Sequence, residues 1–279
     1  MNLTNLSQTA VAFAWSMLWQ SSLLIGVLFL LDLLLRRRVR AAVRHGLWLL
    51  VLVKLLLPPT VSLPTGLMAW WPRPSDPVVP TASRPATRVT IVSSGTRTIP
   101  SLPTVSPSRP EPVHWSNWLL GAWAVGLCLL ATRCLHHTRR LRSAVRHAES
   151  PPPSLIELLA DCQETLSAHR PVAVCLTERV HSPAVCGLFH PKILIPTSLA
   201  SRLTSEQLRS VLLHELAHVQ RGDLWVNLLQ TLLQIVYWWH PLLWLAGRRL
   251  RTVREEATDE RVLFALQERS ADYADALLA

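Results

Sequence analysis

The residues most able to do chemistry in this chain are His214-Glu215-Leu216-Ala217-His218, an H-E-x-x-H run. On an α-helix, positions i and i+4 stack on one face, so two imidazoles at that spacing can reach one metal ion. Glu215 sits one step round, beside such an ion rather than facing it. That placement suits a general base acting on water, and the pattern reads as the zinc site of a metalloprotease. With 11 His in 279 residues, chance supplies roughly 0.02 such runs in a chain of this make-up, so the run counts as a signal.

A catalytic zinc needs a third protein ligand and one open position. Glu255 is the candidate. In a helix here, Glu255, Asp259, Val262 and Leu266 fall at i, i+4, i+7 and i+11, one stripe with apolar followers. Glu256 shares its stripe with Arg249, Glu260 and Gln267 and is expected to face outward. Asp259, one turn after Glu255, is placed to orient a ligating histidine. Asp223 is a candidate for the same supporting role. The expected site is thus Glu215 as catalytic base, His214, His218 and Glu255 as metal ligands, and Zn2+ as cofactor.

The elements that must position these residues carry their own signals. Thr204-Ser205-Glu206-Gln207 fits a capping box and Gly222 a helix stop, so the run lies in a helix between them. Ser154-Leu155-Ile156-Glu157 reads as a second capping box, opening a helix to about residue 168. Three β-like runs follow, at 172–176, 184–188 and 192–196. A small sheet before the zinc helix offers an edge on which a peptide can lie as an added strand.

Composition points to a membrane. The chain is 49% hydrophobic and only 16% charged, with the apolar residues gathered into long runs. The net charge of +10 does not point to nucleic acid, because the arginines cluster beside those runs, as topology signals do. The expected fold is a mainly α membrane protein. It has three transmembrane helices and a cytoplasm-facing, zincin-like α+β metalloprotease domain with a small β-sheet and a membrane-dipping helical hairpin. Residues 1–64 hold two spans, about 11–35 and 47–63, around a basic cytoplasmic loop 36–45. Residues 65–114, rich in Pro, Ser and Thr, form an extracytoplasmic linker. Residues 115–135 form the third span and 136–279 the protease domain. The basic loop and the arginines after residue 135 place the N-terminus outside and the active site on the cytoplasmic side. Asp32 and Lys54, charged within or near spans, are expected to pair with each other. The five cysteines form no C-x-x-C and are expected to be free thiols.

The run 224–246 poses a topological problem. A single crossing would carry the chain roughly 30 Å away, and the nine residues to Glu255 return only about 13 Å as helix. Glu255 can meet the histidines only if the run is a hairpin, bent near Trp238-Trp239-His240-Pro241. Asn227, Gln230 and Gln234 make its first arm amphipathic, as expected of a segment facing other protein. His240, at the bend, is not expected to be a ligand.

Taken together, H-E-L-A-H, Arg221-Gly222-Asp223-Leu224-Trp225, Trp239-His240-Pro241-Leu242 and Glu255-x-x-x-Asp259 resemble the BlaR/MecR family of integral-membrane zinc metallopeptidases. So do Ser182-Pro183-Ala184-Val185-Cys186-Gly187, Leu47-Trp48 and Lys54…Pro58. The resemblance implies a protease in the bacterial cytoplasmic membrane, activated by an extracytoplasmic signal. In antibiotic-sensing members that protease releases a DNA-binding repressor. Matched by position, His214, His218 and Glu255 would bind zinc and Glu215 would be the base. The partners expected are the lipid bilayer and a protein or peptide substrate, above all a cytoplasmic transcriptional repressor or the chain itself. Direct nucleic-acid binding is not expected, and homodimer formation is left open.

One departure is the lack of Ser-x-x-Lys: the two lysines, Lys54 and Lys192, follow Val51 and Phe189, so no penicillin-binding sensor is expected within this chain. The chain stops at Leu277-Leu278-Ala279 inside an expected helix, as a piece of a longer protein would. Two other functions compete. One is a membrane quality-control or maturation protease similar to the HtpX and CaaX-prenyl types, which share the H-E-x-x-H and Glu-x-x-x-Asp pairing. The other is a non-proteolytic membrane receptor or scaffold, for which zinc content is the discriminator. Arg221-Gly222-Asp223 also spells an adhesion tripeptide, but it falls on the expected cytoplasmic side at a helix junction.

Overall fold

The computed structural model describes residues 3–57 and 115–278, with side chains over 7–57 and 115–266. The chain divides into two compact units, Met1–Pro59 with Ser116–Ala279, and Thr60–Trp115. The elements below belong to the first, apart from Trp115. The linker expected at 65–114 and the end of the expected second span, residues 58–63, lie outside the described residues.

Two helices among the described residues are long and apolar enough to cross a membrane, within α1 (Leu3–Leu35) and α3 (Trp115–Arg146). None of the apolar stretch of α3 is buried; Trp118, Val125 and Leu129 stand exposed on it, a surface water solvates poorly. Between them comes α2 (Ala41–Leu56), of 16 residues. That is about 24 Å of helix, short of the roughly 20 residues a span needs. The three expected spans therefore stand as two candidate spans and a shorter helix. α2 also begins inside the expected loop 36–45: Arg44 and His45 are helical and buried, not loop residues in water. α3 overruns residue 135 because no breaker follows, and Arg139, Arg140, Arg142 and Arg146 extend it as an exposed basic stem.

The expected Asp32–Lys54 pair does not form. Arg44 Nε donates to Asp32 Oδ1 at 2.7 Å and Arg249 Nε to Oδ2 at 2.5 Å. Lys54 Nζ lies 3.9 Å from Met17 Sδ instead. A guanidinium holds a carboxylate oxygen through a directed N–H, which an ammonium point charge does less well.

After α3 comes α4 (Pro153–Thr165). The capping box expected at Ser154 is absent: Pro153 opens the helix, Pro152 is its N-cap, and no side chain caps it. Proline needs no cap at that position, since its missing N–H would have lacked a helical partner anyway. Strands β1 (Ala173–Thr177), β2 (Ala184–Cys186) and β3 (Lys192–Pro196) form a mixed sheet in the order β1-β3-β2. β3 pairs parallel with β1, Cys175 opposite Leu194, and antiparallel with β2, Val185 opposite Ile193. Being central, β3 is covered on both faces, and Ile193, Leu194 and Ile195 are wholly buried. A short helix, α5 (Thr197–Ala200), leads to α6 (Ser205–Arg221). Leu155, Leu159 and Cys162 of α4 and Leu212, Leu213 and Leu216 of α6 close over Val174, Ile193 and Ile195. Each such side chain contributes roughly 1.5–3 kcal/mol by leaving water, which anchors α6 on the sheet.

The chain then folds back on itself. α7 (Asp223–Val236) ends in a break at Tyr237–His240, and α8 (Pro241–Leu278) starts at the proline. Gln230 Nε2 donates to Gly247 O at 3.3 Å, joining the two arms. A Cβ at Gly247 would meet the Gln234 and Gln230 side-chain amides, which pack directly onto the glycine. Gln230 and Gln234 are buried, as a protein-facing arm requires, but Asn227 is exposed. At the tip, His240 Nδ1 accepts the Leu243 N–H at 3.3 Å, and His240 Nε2 lies 2.8 Å from Ser21 Oγ of α1. In the neutral ring the remaining proton is on Nε2, so it donates to Ser21. Trp123 Nε1 of α3 donates to Val236 O and Trp238 Nε1 donates to Trp123 O, at 2.9 and 3.3 Å.

Candidate metal centre

α6 is fastened at both ends by its own sequence. Thr204 Oγ1 accepts the Gln207 N–H, and Gln207 Oε1 accepts the Thr204 N–H in return. At the other end Gly222 adopts φ 74°, a left-handed turn that costs glycine little. That turn starts α7 at once and swings Asp223 back against α6. Asp223 Oδ2 accepts from His218 Nδ1 at 2.7 Å. The aspartate also sits in the first turn of α7, where a helix favours negative charge.

Leu212, Leu213, Leu216 and Ala217 take the core side of α6, which leaves His214 and His218 on the side facing α8. There Glu255 Oε2 lies 3.5 Å from His214 Nε2 and 3.2 Å from His218 Nε2, and the two Nε2 atoms are 3.2 Å apart. A tetrahedral ion with bonds of about 2.0–2.1 Å holds neighbouring donors about 3.3–3.4 Å apart. Those three edges match that spacing, and two imidazoles with one carboxylate are a donor set zinc accepts. Among the described residues these three are the group whose donor atoms converge closely enough to hold an ion.

Each histidine has its other nitrogen tied down. Asp259 Oδ1 lies 3.1 Å from His214 Nδ1, as Asp223 does from His218 at 2.7 Å. Such bonds fix the tautomer that leaves Nε2 free to ligate. Thr258, wholly buried, was not singled out in the sequence; its Oγ1 donates to Arg254 O at 3.0 Å and lies 3.4 Å from His218 Nδ1. Its place three residues after Glu255, on the same face of α8, was the available signal. Arg254 was missed as well; its Nε lies 3.5 Å from Glu255 Oε1. Glu256 departs from its outward placing: Arg44 Nη1 of α2 donates to its Oε2 at 2.8 Å. Of the stripe followers, Val262 packs against the α4–α6 core, while Leu266 is exposed. His240 bonds Ser21 at the hairpin tip and takes no part in the cluster.

The protein groups alone set a distinct charge pattern. The histidine hydrogen bonds hold the Glu255 carboxyl far below the usual carboxylate range. Burial disfavours charge on His218, but Asp223 and Glu255 outweigh it and raise its pKa to about 9. His214 is raised too, chiefly by its bond to Glu255. Burial pushes the Glu215 carboxyl up, toward the range where a carboxylate can take and return a proton near neutral pH. β2, which packs against α6, is an edge strand paired only on its β3 side among the described residues. The opposite edge, β1, is partly covered, since Glu149 and Leu176 exchange backbone hydrogen bonds at 2.8 and 3.3 Å. All five cysteines are free.

The chain is similar to known membrane regulatory proteins. The chain is 29% identical over 160 residues to the regulatory protein BlaR1 of Bacillus licheniformis, covering 57% of this chain and 26% of that protein. It is 23% identical over 245 residues to the methicillin resistance mecR1 protein of Staphylococcus aureus, covering 87% of this chain and 41% of the relative. The chain thus spans between about a quarter and two fifths of the curated relatives it matches. The model of the BlaR1 peptidase family, M56, matches residues 12–279, and the chain belongs to that family of metallopeptidases.

Proposed function

From membership of the BlaR1 peptidase family, we propose that this chain is the membrane-embedded part of a zinc-dependent endopeptidase that cleaves a cytoplasmic regulator, or itself, in response to an extracytoplasmic signal. The observation that carries the reading is the triangle of His214 Nε2, His218 Nε2 and Glu255 Oε2, with edges of 3.2–3.5 Å. His214, His218 and Glu255 hold the ion; Asp259 and Asp223 orient the two imidazoles. Zinc in such a site supplies Lewis-acid polarisation of the scissile carbonyl and makes a water more acidic. Glu215 hydrogen-bonds to none of the described residues. It takes a proton from the attacking water and passes it to the leaving amine. The outer edge of β2 offers main-chain groups to an extended substrate, which fixes the scissile bond without reading its sequence.

Several contacts support a multi-pass placement in the bacterial cytoplasmic membrane, with the N-terminus outside and the site on the cytoplasmic side. Ser7 Oγ and Ser116 Oγ lie 2.8 Å apart, which brings the N-terminal ends of α1 and α3 together. Both helices then run into arginines, Arg36–Arg38 after one and Arg139–Arg146 along the end of the other, as cytoplasmic ends do. The bend at 237–240 bonds Ser21, midway along α1, and Trp123 of α3. A bend beside the middle of a span belongs at membrane depth, where surrounding helices cover its broken backbone. By analogy with the regulatory name of the BlaR1 relative, the substrate is a transcriptional repressor.

Proteomes of cells carrying the native protein or its Glu215→Gln form test the reading. A cytoplasmic regulator trimmed only in the native cells is the expected result. Membrane or lipidated chains trimmed instead would give the protease a maturation role, and zinc-free protein with an intact fold would refute the enzyme.

A further inference from the structure

The polar stripe of α8 beside the metal ligand is only half open to solvent and is paired with α1 and α2. Arg44 Nε donates to Asp32 Oδ1 at 2.7 Å and Arg44 Nη1 to Glu256 Oε2 at 2.8 Å. Arg249 Nε donates to Asp32 Oδ2 at 2.5 Å, and Arg249 Nη1 lies 3.9 Å from Glu256 Oε1. The four side chains close a ring of two guanidiniums and two carboxylates, with no net charge. It spans the end of α1, the start of α2, and α8. One turn further along α8, Glu260 accepts the Ala41 N–H through Oε1 and Oε2, at 3.1 and 3.0 Å. That carboxylate sits on the first turn of α2, where a helix favours negative charge.

Burying such a ring is costly. The Asp32 and Arg44 side chains are 6% and 5% exposed, those of Arg249 and Glu256 27% and 39%, and desolvation offsets much of what the buried half of the ring gains. Buried charge of this kind is best attested as a device that specifies register. The register at stake is that of α8. Glu255 and Glu256 are consecutive, so on a helix their side chains leave the axis about 100° apart. Glu256 is held by the α1–α2 corner while Glu255 meets α6. Any rotation of α8 that freed Glu256 would swing Glu255 away from the histidines, and a ligand site tolerates only about 0.5 Å of looseness.

We propose that Asp32, Arg44, Arg249 and Glu256 are positioning residues for the metal centre: their ring locks the rotation of α8 and so sets where Glu255 meets His214 and His218. The proposal rests on the reading of those three residues as metal ligands. It makes the α1–α2 corner a determinant of metal affinity, although it contributes no ligand.

The full chain in lipid nanodiscs tests this with two readouts besides cleavage. Zinc affinity is measured by chelator competition, and the coordination geometry by visible absorption of the cobalt-substituted protein. Glu256→Gln is expected to weaken zinc binding about tenfold, the low end of what outer-shell substitutions cost, and to change the cobalt bands. The conservative Glu256→Asp, which keeps a carboxylate for Arg44, is expected to hold both nearer their native values. Where Glu256→Gln does not fold, Arg249→Lys, which keeps the charge but not the directed N–H to Asp32, carries the same test. Folded variants with native zinc affinity and native cobalt bands overturn the proposal, even when they melt earlier, because a ring that only stabilises the fold moves melting alone. A native chain that takes up no metal overturns the ligand reading itself, and the positioning role with it. Those two failures are told apart by the native protein.

Discussion

The two helices that meet at the centre reach it in different ways. α6 brings His214 and His218 through local order: a capping box, one helical turn and a glycine stop, all within Thr204–Gly222. α8 brings Glu255 after a reversal of the chain, and its angle is decided by residues as far away as Asp32. A side chain placed by its neighbours in sequence needs little else. A side chain placed by a long helix needs that helix to be fixed about its axis, and two sides of α8 are committed to doing so.

The comparison breaks first at its most local point. His218→Ala is expected to abolish stoichiometric zinc and cleavage together, read by metal analysis of the purified membrane protein. Retained zinc would move the site elsewhere. Glu215→Gln separates chemistry from binding: zinc stays, and cleavage falls by about 10²–10⁴, the usual contribution of a general base.

Supporting carboxylates should rank by burial. Asp223 has a side chain 5% exposed and Asp259 one 64% exposed. Asp223→Asn is expected to weaken zinc about 10–100-fold and Asp259→Asn markedly less, measured by the same chelator competition. Equal losses would show that burial does not set the strength of the support.

pH sharpens the contrast further. The pKa of His218 is raised from 6.5 to about 9 by the carboxylates beside it. A raised pKa means that the protonated imidazole stabilises the fold fully below about pH 6.5, and that this contribution is lost as pH rises through about 9. Zinc must displace that proton. Apparent zinc affinity should therefore climb from pH 7 to 9, by about tenfold per unit for one proton released. Titration calorimetry in two buffers of different protonation enthalpy would detect that proton, and a flat affinity would remove the coupling. The smallest effect is expected at Gly222. No heavy atom would touch a Cβ there, so Gly222→Ala costs only its backbone conformation, about 1 kcal/mol, visible as a modest drop in melting temperature.

What was legible in the sequence follows the same division. Thr204 and Gln207 cap α6 as their spacing requires, because a capping box involves only four residues. The same reasoning failed at Ser154, where Pro153 opens the helix first. Glu255 and Asp259 share a stripe by arithmetic, and the structure turns that stripe toward α6. The companion stripe of Arg249, Glu256 and Glu260 was read as a face for water. A row of charges looks the same in sequence whether it meets solvent or buried partners of opposite charge. Asp32 misled for the same reason: the nearest apolar run offered Lys54, but the partners that reach it are Arg44 and Arg249, the latter 217 residues away in sequence.

By itself the sequence determined the helix that carries two histidines and a glutamate at one-turn spacing, the break at Pro241, and the apolar character of the long helices. Each follows from contacts between near neighbours, or from the side chains' own solubility. Only the tertiary structure decided that Glu255 lies 3.2 Å from His218, that Asp223 turns back to hold that imidazole, and that a half-buried ring of charge holds α8 on a second side. Those depend on how three helices lie against one another, which the balance of desolvation and pairing settles after the helices have formed.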